Sequence, residues 1–300
     1  MRIKLLVIIV TYNGLQWIER CLKSIYKSTF IPDVIIIDNG SIDGTQDFIT
    51  KNFQKVILKQ SETNLGFGKA NNIGIEYAIK NDYTYVYLLN QDAWVLPDTF
   101  DKLIMLQNKN PEFGILSPIQ VEANLKKIDS NFAHYVCSWN SNHDFLSDCY
   151  MDALHDIYEV PQVMAAHWLI SCLCYKQVGL FSPSFPHYGE DDNYAQRVRY
   201  HGFKIGIAPS AIGVHDRENR VPSKRKNIYI EYIRHIDSLS NPFERAKFQI
   251  LHIISRSISQ SIKLRSFYPI ELLTKILCHY SQIKKNRNET LAKGAFLNNI

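Results

Sequence analysis

Apolar residues in the first ninety positions come in short unbroken runs separated by polar tips. Residues 5–10, 34–37, 56–58 and 83–89 are such runs, rich in Val, Ile, Leu and Tyr. A β-branched run without alternation predicts a strand covered on both faces, as in a parallel sheet. Between the runs the period lengthens. Leu15, Ile18, Leu22 and Ile25 share one helical face, and further helices are predicted over 46–52 and 71–80. Strand, polar tip and helix, repeated four times, predict a doubly wound α/β sheet with right-handed crossovers. Ligands of such sheets gather beyond the carboxyl ends of the strands. Thr11-Tyr12-Asn13, Asp38-Asn39-Gly40-Ser41 and Asn90-Gln91-Asp92 all fall at those ends.

Residues 95–215 are less regular. The pattern predicts a helix from 99 to about 108, a strand over 115–121 and an insertion with a mobile loop over 122–160. A strand or strand pair follows over 164–175, then a short helix over 176–180, a helix over 190–201 and a last strand over 204–208. From 227 the chain turns helical, with Ile228, Tyr232 and Ile236 on one face. Phe248, Leu251, Ile254, Ile258 and Ile262 continue the apolar stripe, and Pro242 and Pro269 divide the tail into three helices. The domains expected are a catalytic unit, 1–220, and a helical extension, 221–300. The first would comprise a nucleotide-binding half, 1–95, and an acceptor and metal half, 96–220.

Charge sharpens this division. Residues 217–300 hold 16 Lys/Arg and 6 Asp/Glu; the rest holds 18 and 23. An acidic body with a basic, amphipathic tail predicts an anionic partner at the C-terminal end, with membrane headgroups or a diphosphate-linked acceptor as candidates. The alternative use of the apolar face is packing on the catalytic unit or a homodimer. No aromatic-interleaved basic module indicates nucleic acid. The six cysteines form no C-x-x-C cluster, so a zinc site is not expected. The opening apolar run is six residues, too short for a signal peptide, and no segment reaches spanning length. The expectation is a soluble or peripheral cytoplasmic protein, at the inner face of the membrane if the tail binds it.

Five motifs appear in order: Val7-Ile-Ile-Val-Thr11-Tyr-Asn13; Asp38-Asn-Gly-Ser41; Asn64-x-Gly66-x-Gly68-x-x-Asn71-Asn72-x-Gly74; Asn90-Gln-Asp92; Gly189-Glu-Asp191. Over residues 3–216 the chain resembles family 2 glycosyltransferases, particularly the rhamnosyltransferase-like branch that builds bacterial surface polysaccharides. The resemblance implies a GT-A fold, an inverting mechanism and a divalent metal, Mg²⁺ or Mn²⁺. Its donor would be a nucleotide sugar (UDP- or dTDP-linked) and its acceptor a glycan or lipid-linked glycan.

The candidate residues follow from this chemistry. A departing sugar diphosphate needs a counter-charge, and hard oxygen ligands suit the cation that supplies it. Asp92 is the candidate carboxylate ligand, and the resemblance adds His215; Asn90 stands where a second carboxylate is usual. Thr11, Asn13 and Asp38 are candidates for base and ribose. The loop through Asn64, Gly66 and Asn71 is one for close approach to the donor. It lacks the spacing of a dinucleotide fingerprint or P-loop. Inverting transfer needs a general base to take the acceptor hydroxyl proton, and Glu190-Asp191 opens a helix whose positive end would keep a carboxylate ionised. The resemblance points to Asp191, with Asp192 the alternative, because Asn193 replaces the last Asp of the usual Glu-Asp-x-Asp. Glu190 would orient the acceptor, and His167 and Trp168 are candidate sugar contacts. Arg197 and Arg199 are further candidates for reaching the diphosphate. Two competing classes are a non-catalytic nucleotide-sugar or glycan binder on the same fold, and a nucleotidyltransferase. The latter would need a cationic loop after the first strand, which Thr11-Tyr-Asn-Gly does not provide.

Overall fold

The computed structural model describes residues 3–137, 144–216, 224–244 and 246–297. The predicted alternation is present: β1 (Leu5–Thr11), α1 (Leu15–Tyr26), β2 (Asp33–Asp38), α2 (Thr45–Asn52), β3 (Ile57–Gln60), α3 (Phe67–Lys80) and β4 (Tyr85–Asn90). β5 (Ala93–Val95), α4 (Thr99–Lys109) and β6 (Phe113–Val121) follow. α5 (Ala133–Val136), α6 (Phe145–Tyr150) and β7 (Tyr158–Glu159) form the insertion. β8 (His167–Ser171), α7 (Cys172–Val178), α8 (Glu190–Tyr200) and β9 (Lys204–His215) complete the α/β part. One mixed sheet runs β3-β2-β1-β4-β8-β6-β9-β5, with β7 on β9. β3, β2, β1 and β4 are parallel. β8 lies antiparallel between β4 and β6, and β6 and β9 pair in parallel.

Both faces are covered, as the unbroken apolar runs require. Leu6, Ile8, Ile35 and Ile37 pack with Ala70 and Ile75 of α3 on one side. Val7, Ile9 and Ile36 meet Ile18, Leu22, Phe100 and Leu103 of α1 and α4 on the other. α3 begins at Phe67, four residues before the predicted start, because its two glycines are contact points rather than loop. A Cβ on Gly74 would stand 2.5 Å from Ile8 Cγ2. The absent side chain lets the helix lie directly on β1.

Three expectations are corrected. The helix placed at 176–180 starts at Cys172, because Ser171 caps it by accepting from the Cys174 amide. The last strand runs on to His215 instead of stopping at 208, held by β5 at one edge and β6 at the other. The insertion is anchored where it is described: Phe132, Val136, Phe145 and Tyr158 all enter the main core. Residues 138–143 within it lie outside the described residues.

The tail forms α9 (Lys224–Ser240), α10 (Ala246–Leu264) and α11 (Tyr268–Thr290). Ile233, Ile236, Leu239, Ile253, Leu273, Ile276 and Ile283 build a third core with Phe185. The extension also fastens to the sheet unit. Asn286 Nδ2 donates to Ser184 Oγ at 2.9 Å, and the Leu180 amide donates to the Ala295 carbonyl at 2.9 Å. The apolar stripe expected on α10 divides between two surroundings, with Ile254 packed against this third core. Ile253 is buried, whereas Leu251, Ile258 and Ile262 point outward; the side chain of Phe248 lies outside the described ones. Among the described residues no helix is long and apolar enough to cross a membrane.

Candidate active site

The tips of β1, β2 and β4 converge through short polar bonds. Gln91 spans the first and last: its Oε1 accepts from the Tyr12 amide at 3.0 Å and its Nε2 donates to the Tyr12 carbonyl at 3.3 Å. Asn13 takes a left-handed backbone (φ 49°), and its Oδ1 accepts from the Ile42 amide at 2.9 Å. The Asn13 amide donates to Ser41 Oγ at 2.9 Å. Sequence reasoning passed over Gln91 and Asp43. Asp43 accepts from the Leu15 amide and from Thr45, and only its place in Asp-Gly-Thr hinted at that role.

Asp38 differs from its expected role. Its carboxylate is buried and receives Thr11 Oγ1, Ser41 Oγ, Gln46 Nε2 and the amides of Gly40 and Ser41. A carboxylate offers about four lone-pair positions, so none remains for a base or ribose. Burial alone would raise its pKa, but the bonds from Ser41, Gln46 and Thr11 outweigh that and hold it below the usual range. Asp38 and the equally buried Thr11 are thus held within the loop by their own neighbours.

The glycine-rich segment is also occupied from within. Asn64 Oδ1 accepts from the Gly66 amide at 2.9 Å, and a Cβ on Gly66 (φ 80°) would meet the Pro186 carbonyl at 2.5 Å. Asn71 is buried, donating to the Phe67 carbonyl one turn back. The close backbone approach that the glycines permit is thus to protein. Trp168 is likewise core: it is fully buried and its indole donates to the Val163 carbonyl at 3.1 Å, which corrects its assignment as a sugar contact. Arg197 is buried too, donating to the carbonyls of Leu180 and Val178.

The remaining candidates come together. β5 pairs Ala93 with His215 of β9, which brings Asp92 Oδ1 to 3.5 Å from His215 Nε2. The Asp216 amide donates to the Asp92 carbonyl at 2.8 Å and locks that register. Across the site, the Asn90 amide donates to the Ala166 carbonyl at 3.1 Å, and the neighbouring Ala165 amide lies 3.4 Å from Asp191 Oδ2. One strand-start, 165–166, therefore joins the Asn90–Asp92 tip to the head of α8.

His167 stands behind His215 rather than in the site. Its Nε2 faces the Val214 carbonyl at 3.1 Å, which can only accept, so Nε2 carries the proton and Nδ1 accepts from Tyr87 Oη at 2.9 Å. Burial pushes its pKa down to about 3, keeping it neutral. Gly213 makes room for the ring: a Cβ there would stand 2.8 Å from it.

The head of α8 is strongly acidic. Gly189 (φ 78°) turns the chain into Glu190, Asp191 and Asp192. Burial, then the charges of Asp191 and Asp192, push the Glu190 pKa up to about 8. Among the described residues its Oε2 has no hydrogen-bond partner. Asp192 is raised by burial and by Asp191 and Asp237. Asp237, on α9, is pushed up to about 6, chiefly by burial. The extension therefore contributes a carboxylate to this cluster, which no motif in the tail announces.

Whether the residues suit a cation can be judged from the Asp92–His215 pair. A metal about 2.1 Å from each donor would hold the two atoms about 3 Å apart. The observed 3.5 Å is close to that, so the pair fits two places of a shell. Among the described residues no group of three or more His, Cys, Asp or Glu side chains could hold a metal. The other places would fall to phosphate oxygens and water.

A parallel half-sheet, a strand-end carboxylate beside a strand-end histidine, and an acidic helix head facing them define the GT-A type of nucleotide-sugar fold. TarS of S. aureus (residues 1–349) superposes with a TM-score of 0.59 at 16% identity, covering 97% of this chain and 83% of that one. GalNAc-T7 with UDP, GalNAc and Mn²⁺ superposes with a TM-score of 0.58 at 17% identity, over 80% of this chain and 50% of that one. Residues 6–152 match the family model "Glycosyl transferase family 2", so the chain carries a family 2 glycosyltransferase domain. It is 31% identical over 122 residues to the N-acetylglucosaminyl-diphospho-decaprenol L-rhamnosyltransferase of Mycobacterium tuberculosis, 38% of this chain and 40% of the relative. It is 30% identical over 109 residues to the amylovoran biosynthesis glycosyltransferase AmsE of Erwinia amylovora, 35% and 40% of the two chains. The chain thus spans about two fifths of the length of these curated relatives.

Proposed function

We propose that the protein is an inverting glycosyltransferase that moves a sugar from a nucleoside-diphosphate sugar to a glycan or lipid-linked glycan in surface polysaccharide synthesis. The observation that supports this reading is the segment 165–166, which is bonded to Asn90 of the Asp92 tip and lies against Asp191, with Asp92 itself beside His215. Asp92 and His215 would hold a divalent metal, Mg²⁺ or Mn²⁺, which supplies the counter-charge for the departing diphosphate. Asn13 and the exposed backbone of the first two strand tips bind the nucleoside, a uridine or thymidine diphosphate. Asp191 takes the proton from the acceptor hydroxyl as its oxygen attacks the anomeric carbon from the face opposite the diphosphate. Glu190, whose proton burial holds at pH 7, leaves the base role in this reading to Asp191, which is only partly buried. The relatives named above, one acting on a diphospho-decaprenol acceptor by its name, support the acceptor class.

In this reading residues 1–220 form the catalytic unit, with nucleotide half 1–95 and acceptor half 96–220, and 221–300 form its extension. The protein works at the inner face of the cytoplasmic membrane. The test is transfer from a panel of UDP- and dTDP-sugars to a lipid-linked acceptor extract. Asp191→Asn should lower transfer at least about 1000-fold, in the range of losing a general base with its positioning, while nucleotide binding stays intact. Full transfer by that variant would remove Asp191 from the role. Nucleotide-sugar binding with neither transfer nor hydrolysis by the wild type would favour the non-catalytic binder.

A further inference from the structure

The outward stripe of α10 is the largest feature that the catalytic reading leaves unused. At 100° per residue, Leu251, Ile258 and Ile262 fall within about 40° of one another on the helix. They are 70, 46 and 74% exposed. In the α10–α11 turn that follows, Phe267 is 88% exposed. The third core needs none of these side chains, because the opposite face of α10 supplies Ile253. Isolated exposed apolar residues are ordinary, but three on one helical line followed by a bare phenylalanine in the adjoining turn are not.

Charge decides what covers them. Residues 245–270 hold five Lys/Arg and no Asp/Glu. Lys263 and Arg265 are exposed beside the stripe, and Arg225 of α9 stacks on Tyr268, its guanidinium 4.9 Å from the ring. Apolar wedge and cationic collar together match an anionic lipid surface. A second copy of the chain would set one cationic face against another. Position supports the same occupant: Lys226, beside Arg225, lies 5.6 Å from the Tyr188 ring, and Tyr188 precedes Gly189 at the head of α8. The collar therefore reaches from the turn to the catalytic helix.

We propose that α10 and the α10–α11 turn, with Leu251, Ile258, Ile262 and Phe267 as the apolar wedge and Arg225, Lys263 and Arg265 as the collar, dock on an anionic bilayer. The docking turns the head of α8 toward the lipid. This names the membrane partner in the reading of a lipid-linked acceptor and rests on that reading only for its purpose.

The test uses the whole protein and vesicles of phosphatidylcholine with and without phosphatidylglycerol. Binding to the anionic vesicles should exceed binding to neutral ones by at least about tenfold, since each cation near such a surface contributes about fivefold. Ile258→Ser/Ile262→Ser/Phe267→Ser should lose at least about tenfold of it, and Lys263→Gln/Arg265→Gln should abolish the preference for anionic lipid. Both variants should keep the wild-type melting temperature and donor hydrolysis in solution. Equal partition of the wild type between the two vesicle types, unaltered binding by the triple variant, or loss of a dimer in place of vesicle binding would overturn the proposal. Vesicle binding without any glycosyl transfer would sink the enzymatic reading and leave the docking surface standing.

Discussion

Glu190→Gln should make the protein more stable, and increasingly so as the pH rises. The folded chain holds Glu190 at about 8, against 4.5 for the free side chain. The native state therefore binds the proton more tightly than the unfolded one, and between these values stability falls with rising pH. Its contribution is fully present below pH 4.5 and lost as the pH climbs through 8. At 1.36 kcal/mol per pH unit, the loss between pH 5 and pH 8 is about 3.5 kcal/mol. Glutamine keeps the shape and removes the titration. The gap between variant and wild type should therefore be small at pH 5 and approach that figure at pH 8. For 300 residues it corresponds to roughly 5 °C in melting temperature. Urea unfolding of both proteins at pH 5, 6, 7 and 8 measures it. A difference that stays constant across that range would show that burial of Glu190 does not hold its proton, and with it would go the division of labour between Glu190 and Asp191.

Other outcomes follow from the same geometry. His215→Ala should weaken the Mn²⁺-dependent part of nucleoside diphosphate binding by about 10- to 100-fold in calorimetry, with little change in binding without metal; equal loss in both would place His215 outside the metal shell. Gly74→Ala should cost about 1–3 kcal/mol despite the higher helix propensity of alanine, because its Cβ would stand 2.5 Å from Ile8 Cγ2. An unchanged urea midpoint would mean that α3 can lift from β1.

The parallel half of the sheet was legible because its residues obey one rule each: unbroken β-branched runs must be covered twice, and polar residues collect at the tips. The pairing of Asp92 with His215 was not legible from spacing, since it depends on β5 folding back on β9; only the motif resemblance brought those two together. Asp38 and Asn71 show the opposite failure. Turn-forming side chains look the same in sequence whether they meet a ligand or their own loop, and here Asp38 meets Thr11, Ser41 and Gln46. Trp168 was ambiguous for a related reason, because a buried indole and a sugar platform differ only in what lies opposite. On α10 the 3.6-residue period was legible but the use of its apolar stripe was not, since the helix carries apolar residues on two faces.

The bond between Leu180 and Ala295 has a consequence for how such enzymes can be recombined. The last turns of the chain form part of the wall behind the catalytic helix, and Asp237 sits among its carboxylates. Exchanging the tail between relatives would therefore do more than readdress the enzyme. A chimera keeping only the first 220 residues would need a new neighbour for the acidic helix head and a new seat for the 180–185 segment. Acceptor choice and tail identity should then be inherited together, as one transplantable unit rather than two.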